Sequence, residues 1–157
     1  MAFCFLLLLA QYVPTDFKAE LFGGYANLRA EKQAQHGWTA TYTDYSLFRR
    51  WGLTAEVSQE TDTRAYLFGG TFRSIRRPRF ALTGRIVAGL TDWNRLPQQT
   101  AFTFGFAQSI DWKLNEHWAL RVQPGFRFLR LDDPAGGRRT VLATPLALGL
   151  VYKFGHR

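Results

Sequence analysis

The feature that most restricts this chain is a two-residue alternation that returns eight times after residue 15. The last instance is the clearest. In "ALGLVYKFGHR" (147–157), Leu148, Leu150, Tyr152 and Phe154 share one parity, while Ala147, Gly149, Val151 and Lys153 share the other. A period of two sends successive side chains to opposite faces of a strand. One face of this strand is large and apolar; the other is small and ends in a cation. Such a strand faces two different surroundings.

The alternating segments run over 16–28, 37–48, 52–60, 64–74, 79–90, 100–112, 117–131 and 140–154. Most have about the 9–11 residues that a tilted strand needs to cross a bilayer. No helical period of useful length appears after residue 16, and no stretch past the N-terminus matches a spanning helix. The connectors "FRRW" (48–51), "TDT" (61–63), "SIRRPR" (74–79) and "KLNEH" (113–117) are brief, whereas "RAEKQAQH" (29–36), "TDWNRLPQQ" (91–99) and "DDPAGGRR" (132–139) are longer and polar. An even number of strands, with short turns on one side and longer loops on the other, predicts an up-and-down transmembrane barrel.

The two faces say which solvent each meets. Phe102, Phe104, Phe106, Ile110 and Trp112 oppose Thr103, Gly105, Ala107, Ser109 and Asp111; Trp118, Leu120, Val122, Phe126 and Phe128 oppose Arg121, Gln123, Gly125 and Arg127. A water-facing set would be rich in Lys, Glu and Thr. Here it is rich in Gly, Ala, Ser and Thr with a few charges of both signs, as a crowded interior requires. Buried charges are costly unless paired. The reading therefore places Glu20, Glu56, Arg85, Arg121, Gln123 and Arg127 in a polar lumen network. Tyr25, Trp38, Trp112, Trp118, Tyr152 and Phe154 lie near strand ends and suit membrane–water interfaces, where an amphipathic ring has one polar edge in water. In the second segment Trp38, Ala40 and Tyr42 suggest one phase and Tyr45 and Leu47 the other, which a bulge or a misplaced boundary accounts for.

Composition narrows the function classes. The chain is 46% hydrophobic and 20% charged, which excludes a disordered chain. Its net charge of +8 comes largely from short arginine clusters, Arg49, Arg50, Arg76, Arg77, Arg79, Arg138 and Arg139, set between apolar strands. They form no continuous basic stripe and no reading helix, so nucleic acid is not the expected partner. Cys4 is the sole cysteine, so no internal disulfide forms. The opening "MAFCFLLLLA" has the apolar core and small-residue end of a secretory signal peptide, so 1–15 reads as leader and 16–157 as one barrel domain.

The runs "AELFGGYANLR" (19–29), "YLFGGTFR" (66–73), "LNEHWALRVQPGFR" (114–127) and "GLVYKFG" (149–155), in this order and spacing, resemble the small eight-stranded OmpA-type outer-membrane β-barrels of Gram-negative bacteria. The resemblance covers about 19–155. It implies an all-β, eight-stranded antiparallel up-and-down transmembrane barrel in the bacterial outer membrane. The last strand is similar to the aromatic-ended signal read by the barrel assembly machinery, although Gly155, His156 and Arg157 follow Phe154. Only the barrel is matched, so the peptidoglycan-binding domain of OmpA itself is not implied.

Eight strands enclose a lumen just wide enough for side chains. The expected role is structural or interactive, with at most weak channel activity through a plugged lumen. The partners expected are outer-membrane lipids and lipopolysaccharide, through the connector arginines and through Arg138 and Arg139. The alternative is a soluble, lipocalin-like barrel that binds an apolar ligand. An enzyme is not expected: of His36, His117 and His156, none is spaced to share a lipid-facing rim with a serine. No His or carboxylate spacing suggests a metal, and no cofactor motif appears.

Overall fold

A computed structural model describes residues 17–47, 50–76, 79–94, 99–133 and 137–156. The leader read over 1–15, Arg49 and Arg77 lie outside the described residues, as do the side chains of Arg76 and His156. Eight strands follow in order: β1 (Phe17–Ala30), β2 (Gln33–Asp44), β3 (Trp51–Glu60), β4 (Thr63–Arg76), β5 (Phe80–Trp93), β6 (Gln99–Lys113), β7 (Trp118–Asp133) and β8 (Gly137–His156). Each pairs antiparallel with its neighbours, and β1 pairs with β8 to close the barrel. Closure leaves no free sheet edge, which is what permits a sheet to span lipid.

The outer surface is apolar. Leu21, Leu53, Phe68, Ile86, Phe106, Leu120 and Leu148 are all exposed, while Glu20, Glu56, Arg85, Arg121 and Arg127 are buried. This inversion of the usual pattern follows directly from the two parities of each strand. The β2 phase is also settled. Trp38 and Tyr42 point outward, Thr39, Thr41 and Thr43 point inward, and the strand ends at Asp44 without a bulge. Tyr45 keeps the inward parity and is fully buried, whereas Leu47 lies beyond the strand and is exposed.

The strands run on where polar loops were expected. At the end away from the termini (the far end), Glu31 and Lys32 alone join β1 to β2, with φ of 49° and 65°. Two left-handed residues make the tight turn whose twist matches a hairpin. Thr61 and Asp62 alone join β3 to β4. The stretch 29–36 is thus mostly strand, and the expected contrast of short turns with long loops does not hold: the β2–β3 connector at the terminal end spans 45–50. The physical reason is that polarity on outward positions marks where a strand leaves the apolar band. It does not mark where the ladder stops.

Small residues set how closely the wall closes. Gly24 and Gly149 face each other across the β1–β8 seam on the inner side. A Cβ on Gly149 would lie 2.2 Å from the Gly23 carbonyl oxygen, and one on Gly24 would lie 2.4 Å from that of Leu148. Elsewhere the ladder is interrupted. The β4–β5 register shifts between Arg73 and Ile75, and the extra residue, Ser74, is buried with its hydroxyl donating to the Leu82 carbonyl at 3.1 Å. Pairing of β6 with β7 stops at Ala107 opposite Gly125 and resumes at Ile110 opposite Val122, across Pro124. Pairing of β7 with β8 stops at Pro124 opposite Leu146 and resumes at Arg127 opposite Ala143, across Pro145. Proline has no N–H for the ladder, so each one removes a rung.

Candidate functional site

The lumen is the place where this chain concentrates its chemistry, and buried polar and apolar side chains line it at successive heights. Nearest the terminal end, Arg121 on β7 donates from Nε to Asp111 Oδ1 at 2.6 Å and from Nη2 to Asp111 Oδ2 at 2.8 Å. The same Nη2 reaches Glu20 Oε1 on β1 at 2.8 Å. Arg73 on β4 holds the other Glu20 oxygen at 2.7 Å, and its guanidinium lies 4.0 Å from the centre of the Tyr45 ring. Lys153 on β8 stands 3.5 Å from Asp111 Oδ2. Two carboxylates and three cations from five strands, joined by Tyr45 from the β2–β3 connector, thus form a single network. The bulge at Ser74 lies directly after Arg73 and ends the regular inward run of β4 there.

A second cluster lies deeper. Glu56 on β3 pairs with both Arg85 on β5 and Arg127 on β7. Arg85 donates to Thr41 Oγ1 at 3.0 Å, and Arg127 to Ser58 Oγ at 3.2 Å. Glu60 stands 3.6 Å from Arg127 and accepts from Ser58 at 3.4 Å. This cluster balances two cations against two carboxylates. Gln123 is buried beside it but hydrogen-bonds none of these groups among the described residues.

Beyond both clusters, at the far end, the interior turns apolar. Leu28, Trp93, Ala101, Leu129, Leu131 and Val141, with Ala30 and Ala143, form one buried cluster. On the remaining arc Thr63 donates to Gln35 Oε1 at 2.6 Å. A cavity of about 20 Å³ remains between the layers, lined in part by Thr39, Glu56, Glu60, Arg85, Gln123 and Arg127. That is room for one water and not for an organic ligand.

The six residues read from the sequence therefore divide: Glu20 and Arg121 belong to the first cluster, Glu56, Arg85 and Arg127 to the second, and Gln123 to the cavity wall. Asp111, Arg73, Lys153, Glu60 and Tyr45 were not in that set. The first three already carry the inward parity in the sequence, and that signal was enough to include them. Tyr45 was hidden by the doubtful phase of β2, and Glu60 by its place at a strand end.

The outward aromatics form two groups. Tyr25 and Trp38 are cross-strand partners toward the far end. Trp112, Trp118, Tyr152 and Phe154 lie at the terminal end, where the Trp118 and Tyr152 rings are 4.8 Å apart and Phe154 lies 5.9 Å from Tyr152. Trp51, Tyr42 and Tyr66 are exposed with them. His36, expected in a loop, is on β2. The Tyr25 hydroxyl contacts its Nδ1, and Asn27 Nδ2 donates to the same nitrogen at 3.0 Å. Among the described residues no group of His, Cys, Asp and Glu could hold a metal.

Comparison with known proteins bears on the fold. No protein-family model matches the chain, and no curated protein does. Among solved structures it is similar to Neisserial surface protein A (11% identity, 91% of this chain and 100% of that one, TM-score 0.60). It is also similar to the attachment invasion locus protein Ail of Yersinia pestis (13% identity, 89% and 100% covered, TM-score 0.58). The N-terminal β-barrel domain of Pseudomonas aeruginosa OprF aligns with 13% identity, 89% and 100% covered, TM-score 0.54. The fold is thus that of the eight-stranded antiparallel transmembrane barrels found in outer membranes.

Proposed function

We propose that this chain is a bacterial outer-membrane β-barrel with a structural or interactive role and a closed interior, and that it conducts ions at most weakly. The observation that carries this is the set of inward side chains: two buried ion-pair clusters, with a buried apolar cluster beyond them toward the far end. A diffusion pore needs a continuous wet path, and eight strands enclose an interior only about wide enough for side chains. A soluble lipocalin-like binder needs a polar exterior, and the exposed leucines and phenylalanines of the outer wall do not supply one.

Lipid is the expected surrounding, with the aromatic groups of Tyr25 and Trp38 and of Trp112, Trp118, Tyr152 and Phe154 at its two interfaces. Arg138 and Arg139 are the residues through which lipopolysaccharide phosphates would be met. Each stands near a carboxylate, Asp132 at 3.6 Å and Glu31 at 2.7 Å, in exposed pairs that exchange at little cost. Delivery by the barrel assembly machinery follows from the aromatic-ended β8. An interactive role fits a barrel whose neighbours in fold are a surface protein and an attachment protein. Catalysis is not part of the proposal; the His36 ring is engaged by Tyr25 and Asn27.

Planar-bilayer recording of the refolded protein tests this reading. The expectation is an absence of steady porin-like steps. A stable, large conductance would overturn the closed interior.

A further inference from the structure

The outward row of β6 reads Phe102, Phe104, Phe106, Gln108, Ile110 and Trp112. Gln108 breaks it. It is exposed on the outer wall, four residues from the interfacial Trp112. At a rise of about 3.3 Å per residue and a tilt near 40°, this is roughly 10 Å into the apolar band. Among the described residues its side-chain amide has no hydrogen-bond partner. Hydrocarbon supplies none either, so the amide bears a cost wherever it meets only lipid.

The surroundings of Gln108 make a notch. Its cross-strand neighbour on β5 is Gly84, where an added Cβ would meet nothing within 4 Å. On its other side is Pro124, at the interruption where β6 and β7 lose their pairing. Large residues stand above and below, Phe106 and Phe126 on one side, Ile110 and Val122 on the other. Between membrane helices, a polar group flanked by small residues within an apolar band is an arrangement that drives association.

We propose that this notch is an interface with a second copy of the chain, related by a two-fold axis along the membrane normal. The chemistry of the amide selects that occupant. A carboxamide carries both donor and acceptor, so two copies of Gln108 near the axis satisfy each other. A two-fold contact needs this self-complementarity, because the same patch is used on both partners. The proposal rests on the membrane reading above.

Two variants in a Cys4→Ser background test it in liposomes at high lipid-to-protein ratio. Cys4→Ser/Gln108→Cys is expected to form a disulfide dimer on mild oxidation. Cys4→Ser/Ala40→Cys, with its thiol on β2 across the barrel, is expected to stay monomeric. In sedimentation equilibrium, Gln108→Leu should dimerise roughly tenfold more weakly than the wild type, and Gln108→Asn should keep most of the association. Each protein is first checked for a gel mobility that shifts on boiling. A shift without preferential cross-linking at 108, or a Gln108→Leu dimer as tight as the wild type, overturns the proposal alone. Chains that never acquire the lipid-dependent shift overturn the membrane reading and the proposal with it.

Discussion

Arg121 on β7 reaches Glu20 on β1 at 2.8 Å, with β8 standing between their strands in the wall. The contact ties together the two strands that flank β8 and so braces the point where the barrel closes. Both groups are almost fully buried, and each would carry a large desolvation cost alone. Removing Glu20 leaves Arg73 without its carboxylate and Arg121 with Asp111 only. Glu20→Ala should therefore cost about 3–5 kcal/mol of stability, read as a lower urea midpoint for the folded form in liposomes. Glu20→Gln, which keeps a hydrogen-bonding oxygen, should cost less. Equal midpoints for Glu20→Ala and the wild type would show that the network holds nothing.

The far end of the lumen depends on volume. Trp93 and Leu129 belong to the buried apolar cluster there. The double variant Trp93→Ala/Leu129→Ala should admit water to the charged layers and raise planar-bilayer conductance above that of the wild type. Unchanged conductance would place the barrier in the ion-pair clusters instead.

The β1–β8 seam tolerates no side chain at Gly149. An added Cβ there meets backbone atoms at 2.2 and 2.4 Å, which cannot swing aside as a flexible side chain would. Gly149→Ala should destabilise the barrel by about 1–3 kcal/mol, or slow its closure measurably in refolding kinetics. Gly23→Ala, on β1 next to Gly24 and on the outer wall where a Cβ meets nothing within 4 Å, is the control expected to fold normally.

The β1–β2 turn offers a gain. Lys32 sits at φ 65°, a conformation that costs a residue with a Cβ roughly 1–2 kcal/mol. Lys32→Gly should raise the urea midpoint correspondingly, while Glu31 is left in place because it pairs with Arg139 at 2.7 Å. A lowered midpoint would mean that the turn is not left-handed at this position.

Parity carried most of the fold. Once alternate residues are assigned to opposite faces, the number of strands and the inward set around Arg121 and Arg127 follow, because a strand has only two faces to offer. Asp111, Arg73 and Lys153 were legible by the same logic. What parity does not reveal is how far a strand continues after it leaves lipid. Residues 29–36 are polar on the outside yet stay in the ladder up to the two-residue turn, and Trp93, in a stretch read as loop, is inward and buried. Nor does it reveal which charges pair. Glu56 meets Arg85 and Arg127, while Glu20 meets Arg121 and Arg73, because strand tilt and register bring distant positions to one height.

The most direct test of the account is refolding from urea with and without liposomes, followed by circular dichroism and by gels of boiled and unboiled samples. The account predicts a β-rich species that forms only with lipid or detergent and whose mobility shifts on boiling. Cooperative folding in plain buffer to a soluble monomer would contradict it.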